Sequence, residues 1–93
     1  MHVYLACFDI SDDGIRYRVG SLLARHGKRV QRSVFEVSFR QLAELDRLQE
    51  ALRELPLGEE DDIRFYALCR ACRGASQDLT NERIARFPAA VIL

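Results

Sequence analysis

An α+β fold with the order strand, helix, strand, strand, helix, strand is predicted by three features of the sequence. Apolar residues recur at helical spacing in two segments only, Ile15 to Leu23 and Leu42 to Leu55. Around them lie runs rich in β-branched and aromatic residues, His2 to Ile10, Lys28 to Phe39 and Ile63 to Cys69. The chain has 93 residues, and domains average roughly 100 to 150 residues, so a single core is expected. This element order describes a ferredoxin-like βαββαβ arrangement, with both helices on one face of a four-stranded sheet.

His2 to Ile10 has apolar residues on both alternating faces, Val3, Leu5 and Cys7 on one and Tyr4, Ala6 and Phe8 on the other. That pattern belongs to a central strand buried on two sides. The strand ends at Asp9. Ser11 is positioned to cap a helix whose first turn holds Asp12 and Asp13, where negative charge meets the positive end of the macrodipole. Ile15, Val19, Leu22 and Leu23 mark its buried stripe, and Gly27 is expected to end it. Lys28 to Phe39 is long enough for two short strands, with the reversal near Arg32 and Ser33. Ser38 and Gln41 have the spacing of a capping box ahead of a second helix, whose stripe is Leu42, Leu45, Leu48, Leu52 and Leu55. Pro56 and Gly58 stop it, and the acidic loop Glu59 to Asp62 leads into the strand Ile63 to Cys69. After Arg70 the pattern becomes a polar connection. A final apolar run, Ala89 to Leu93, reads as a terminal strand after Pro88.

One domain is expected over residues 1–93, with a core in residues 1–80 and a C-terminal strand in residues 86–93 that is added to, or exchanged with, a partner sheet edge. A sheet with helices on one face leaves the other uncovered, and a second copy of the chain, making a homodimer through the open sheet face, is the expected cover. A domain of this size buries only about 60 to 65% of its unfolded surface, which makes dimerisation worth more.

Apolar residues make up 48% and charged residues 30% of the chain, values that exclude intrinsic disorder. The N-terminal apolar run is too short for a membrane span and lacks the basic start and small-residue site of a signal peptide, so a cytoplasmic location is expected. Three cysteines, an odd number, argue for reduced thiols over a disulfide framework. The net charge of zero hides a segregation: residues 14–32 carry six Lys or Arg and no acid, whereas residues 44–62 carry eight acids and two Arg. A neutral molecule thereby gains a basic surface able to hold phosphates.

The stretch Phe8-Asp9-Ile10-Ser11-Asp12-Asp13, then Arg16-Tyr17-Arg18-Val19, then Arg29-Val30-Gln31-Arg32-Ser33-Val34-Phe35-Glu36 resembles the small CRISPR-associated protein that accompanies the spacer integrase. Phe65-Tyr66-Ala67-Leu68-Cys69 and Val91-Ile92-Leu93 extend the resemblance over nearly the whole chain. This chain departs from the family habit at Phe8, where Tyr is frequent, and at Val37, where Gly is frequent. The resemblance implies a homodimeric, Mg²⁺-dependent endonuclease acting on RNA or DNA during spacer acquisition. It equally implies a non-catalytic scaffold that binds DNA and bridges integrase subunits; cleavage needs Asp9, whereas scaffolding needs the arginines and the C-terminal strand.

By residue type alone, Asp9 suits either a metal ligand or a cap of the first helix. The resemblance selects the metal, with one Mg²⁺ shared by the Asp9 residues of both subunits. Asp12 and Asp13 are accounted for by the first helical turn and are left out of the metal site. Arg16, Arg18 and Arg32 suit either a solvated face or phosphate oxygens, which match the guanidinium fork; the resemblance and the local lack of acids favour phosphate. Ser33 falls on a family position in the catalytic region, yet neither His2 nor His26 has the context of a base that would make it a nucleophile. Phe35 reads as core. Cys69 and Cys72 have the spacing of half a zinc site without a second pair, and stand as incidental thiols or as an intersubunit metal or redox pair. His26 lies near a helix C-terminus, which favours its charge. An RNA-recognition module on the same plan would need the aromatic-rich basic signature, which Phe35 and Phe39 do not replace.

Overall fold

The computed structural model describes residues 1–81 and Ile84. The C-terminal strand expected over residues 86–93 lies outside the described residues. The elements are β1 (His2–Asp9), α1 (Asp13–Ala24), β2 (Gly27–Gln31), β3 (Val34–Phe39), α2 (Leu42–Arg53), β4 (Asp62–Ala67) and α3 (Arg70–Ala75). The four strands form one sheet in the order β2-β3-β1-β4, and every neighbouring pair is antiparallel.

β1 is central, as its two apolar parities require. Its even residues Tyr4, Ala6 and Phe8 join Phe35, Val37 and Phe39 of β3 and Ile63 and Phe65 of β4 beneath both long helices. α1 contributes Val19 and Leu23, and α2 contributes Leu45, Leu48 and Leu52, with Leu55 just beyond its end. Edge-on aromatic contacts connect the strands here, with Tyr4 6.1 Å from Phe39 and 6.4 Å from Phe65 between ring centroids. Phe35 is 3% exposed, in line with its reading as core, and the Arg29 guanidinium carbon lies 5.4 Å from its ring centroid.

Residues of the other parity, Val3, Leu5, Cys7 and Asp9, face away from α1 and α2, as do Glu36 of β3 and Asp62, Arg64 and Tyr66 of β4 by the strand registers. That face is not bare. Val3 and Glu36 are buried on it, and α3 places Arg70 and Arg73 beside Val3.

Local signals are shifted relative to the sequence reading at four points. Asp12, not Ser11, caps α1, its Oδ1 accepting from the Ile15 N–H at 2.9 Å, because Ile10 packs into the core and Ser11 is engaged elsewhere. Gln41, not Ser38, caps α2: Glu44 Oε1 accepts from the Gln41 and Arg40 N–H groups, both at 3.1 Å, while Ser38 lies in β3 and donates its N–H to His26 O at 2.9 Å. Gly27 opens β2 rather than capping α1, and a Cβ there would lie 1.8 Å from the Glu36 carbonyl oxygen. The polar connection after Arg70 contains the short helix α3. The reversal at Arg32 and Ser33 is where the sequence reading has it, with a register shift between Arg29 and Gln31. His26 stacks on Phe39 at 5.0 Å; its pKa is lowered by burial first, against an opposing pull from Glu44, so the position does not favour the charged form expected of it. Among the described residues no helix is long and apolar enough to cross a membrane.

Candidate functional site

β1 delivers Asp9 to one end of the sheet, exposed and on the face opposite α1 and α2. The capping role open to Asp9 is taken by Asp12, and among the described residues the Asp9 side chain has no hydrogen bond or ion pair. Its partner across β4 is Asp62. Like charges facing one another across a strand pair repel, and only Asp62 is offset, by Arg64 Nε at 2.6 Å. Arg64 is held more firmly protonated by its bond to the Tyr66 hydroxyl and then by Asp62.

Two residues fasten the loop that follows Asp9. Arg16 reaches back from α1, donating from Nε to Ile10 O at 3.1 Å and from Nη2 to Ser11 O at 3.4 Å, with Asp13 Oδ1 2.7 Å from Nη2. From the opposite side Asp61 Oδ1 accepts from Ser11 N–H at 3.1 Å and Ser11 Oγ at 3.3 Å, and its Oδ2 accepts from Gly58 N–H at 2.8 Å. These bonds, first Gly58 and then Ser11, hold the Asp61 carboxyl below its ordinary value. A depressed carboxyl stabilises the folded chain above the unfolded-state pKa of 3.8, and that contribution disappears as pH falls through the depressed value. Asp61→Asn is therefore expected to melt with a weaker loss of midpoint below pH 3.8 than the wild type, and to leave the far end of the sheet unaltered in amide exchange. An unchanged acid limb in thermal scans would remove Asp61 from this role.

Ser33 is half-buried in the β2–β3 turn and its carbonyl accepts from Phe8 N–H at 3.0 Å, which sets it and the exposed Arg32 at the same end of the sheet as Asp9. Arg18 goes elsewhere. It is exposed on α1 and lines a groove with Ser21, Leu22, Ala51, Glu54 and Leu55, in the helical layer and away from the Asp9 face. The structure thus places Asp9, Arg32 and Ser33 at one end of the sheet and Arg16 against the loop that follows Asp9, with Arg18 apart in the helical layer. Asp61 and Asp62 were legible in the sequence only as an acidic loop; the spacing Gly58 to Asp61, three residues apart, is the signal of the turn that aims Asp61 back.

Among the described residues no three His, Cys, Asp or Glu side chains converge as a metal cage. The donors present are carboxylate oxygens, one of them unpaired and repelled by its neighbour, and these fit a hard cation that keeps most of its waters.

Residues 1–75 match the family model described as CRISPR associated protein Cas2. The chain is 41% identical over 68 residues to the CRISPR-associated endoribonuclease Cas2 3 of Synechocystis, covering 73% of each. It is 39% identical over 64 residues to the CRISPR-associated endonuclease Cas2 2 of Thermus thermophilus, covering 69% of this chain and 70% of that protein. In structure it resembles a chain of a partial Cas6-RT-Cas1–Cas2 complex, with a TM-score of 0.85 and 38% identity over all of both chains. It also resembles Streptococcus pyogenes Cas2 crystallised at pH 6.5, with a TM-score of 0.73 and 28% identity over 83% of this chain and 98% of that one. With a carboxylate-ended central strand inside a matched stretch that runs from β1 through α3, the chain belongs to the Cas2 family of CRISPR associated proteins.

Proposed function

We propose that this protein is a Mg²⁺-dependent phosphodiesterase that acts on RNA or DNA as part of CRISPR spacer acquisition, and that it works as a homodimer of ferredoxin-like subunits. The observation that carries this reading is Asp9: exposed, without a partner, and opposed by a second carboxylate at the end of the central strand. One chain offers too few ligands for a closed metal site, whereas Mg²⁺ accepts one or two carboxylates with the remainder water. The Asp9 residues of two copies, joined through the face that carries Val3, Leu5 and Cys7, would hold one shared ion.

When bound, Mg²⁺ would polarise the phosphoryl oxygen and supply a nucleophile by acidifying water. Arg32 binds the phosphodiester from the β2–β3 turn. Arg16 has part of its guanidinium committed to Ile10, Ser11 and Asp13, so it holds the Asp9 loop as much as it attracts phosphate. Arg18, on the helical layer, serves a longer polyanion that wraps around the subunit. Ser33 contributes its hydroxyl near the reacting phosphate, without acting as a covalent nucleophile. Such backbone-directed contacts give strong salt dependence and little sequence preference.

A second reading has a specific observation in its favour: the similar chain of the Cas1–Cas2 complex matches from end to end. In that reading the dimer is an assembly platform that carries DNA between integrase subunits, and it coexists with cleavage. The test is hydrolysis of labelled single-stranded RNA and double-stranded DNA by purified dimer, with Mg²⁺ or with chelator. Cleavage that disappears in chelator supports the phosphodiesterase. Absence of cleavage together with retained integrase and DNA binding leaves the platform as the function.

A further inference from the structure

Cys69 and Cys72 take no part in the chemistry above, yet they are brought into contact at the start of α3. Cys69 leaves β4 in an extended conformation and accepts, through Sγ, the Cys72 backbone N–H at 3.3 Å. One turn later Arg73 N–H donates to Cys69 O at 3.0 Å, so the two cysteines occupy positions i and i+3 of a closed turn. Such a turn keeps their Cα atoms within about 7 Å, the span that a disulfide bridges. Both residues are exposed and reduced, and Cys7, half-buried on β1, is the remaining thiol.

We propose that Cys69 and Cys72 form a thiol–disulfide exchange site, in which Cys69 attacks a small disulfide and Cys72 resolves the adduct to an intrachain bridge. The Cys69 thiolate forms a bond to one sulfur of glutathione disulfide, the sulfur–sulfur bond breaks, and one glutathione leaves as thiolate and takes a proton from water. Cys72 then gives its proton to solvent and attacks Cys69 Sγ, expelling the second glutathione. The protein loses two hydrogens and two electrons, and glutathione disulfide gains both. The division of labour follows from the contacts. The Cys72 backbone N–H, and then the Cys72 thiol, donate to the Cys69 sulfur and hold its pKa below the ordinary thiol value, so Cys69 is the attacking thiol of the pair. The same contact holds the Cys72 pKa above it until the first step is complete.

The test uses the whole protein in glutathione redox buffers, quenched with acid, labelled at free thiols and read by peptide mass spectrometry. Wild type is expected to lose two hydrogens across residues 69 to 72 while Cys7 stays reduced. Cys72→Ser should accumulate one glutathione on Cys69, and Cys69→Ser should react about tenfold more slowly at its remaining exposed thiol. Serine at position 69 keeps an acceptor for the Cys72 N–H, and position 72 is exposed, so neither variant should lower the thermal midpoint. The proposal is overturned if wild type accumulates glutathione adducts or intermolecular dimers without an intrachain bridge. Equal rates for the two single variants would overturn it as well.

Discussion

Asp9→Ala should lose metal-dependent cleavage by about 10³-fold and, in the same protein, melt at a slightly higher temperature. The loss follows if the proposed site holds, because the variant lacks the carboxylate that would hold the cation, whose stabilisation of the transition state is worth several kcal/mol, or about three powers of ten in rate. The gain follows from the strand register. Asp9 faces Asp62 and has no partner among the described residues, so truncation removes a cross-strand repulsion of about 0.2 to 1 kcal/mol and no native bond. Function and stability are opposed at this residue, as is common where a site needs charge that the fold does not. Initial rates with and without Mg²⁺, measured beside thermal midpoints, test both halves. Full cleavage by Asp9→Ala would remove Asp9 from the metal site; a midpoint lowered by several degrees would return it to a structural role.

Gly27→Ala should destabilise the chain by about 3 kcal/mol or more, although the substitution adds one methyl group at the start of an edge strand. A Cβ at position 27 would sit 1.8 Å from Glu36 O and 2.7 Å from Val37 Cα. Both obstacles are backbone of β3, so relief requires β2 to move away from β3, with loss of the pairings Gly27 to Val37 and Lys28 to Glu36. Gly20→Ala is the contrast. There the tightest contact is Arg29 Nη2 at 3.1 Å, the far end of a flexible side chain, and alanine in a helix is worth roughly 1 kcal/mol over glycine. Urea titrations of the two variants should therefore move in opposite directions or differ by more than about 2 kcal/mol. A Gly27→Ala protein with wild-type stability would mean that β2 does not approach β3 in this register.

The order of the elements is legible in the sequence, because their periods differ. Apolar residues on both parities of His2 to Ile10 point to a central strand, and β1 lies between β3 and β4. The leucines at 45, 48, 52 and 55 determine which side of α2 is buried. Asp9 stands out in the sequence through the motif around it, and its position at the end of β1 follows from the length of the strand.

Features that depend on contacts between distant segments emerge only in the folded chain. Ser11 is a good cap by residue type, but its N–H and hydroxyl are engaged by Asp61, fifty positions away, and Asp12 takes the cap instead. A glycine before a strand reads as a helix stop; that Gly27 is instead required by the backbone of Glu36 and Val37 depends on the pairing of β2 with β3. Arg16 and Arg18 are two residues apart and look equivalent in sequence. A helix turns about 100° per residue, so two positions diverge by about 200°, which aims Arg16 back at the Asp9 loop and Arg18 toward α2. Periodicity is a property of neighbours along the chain and survives in the sequence. Which carboxylate faces which, and which arginine is already bonded, are set by the packing of the sheet and helices.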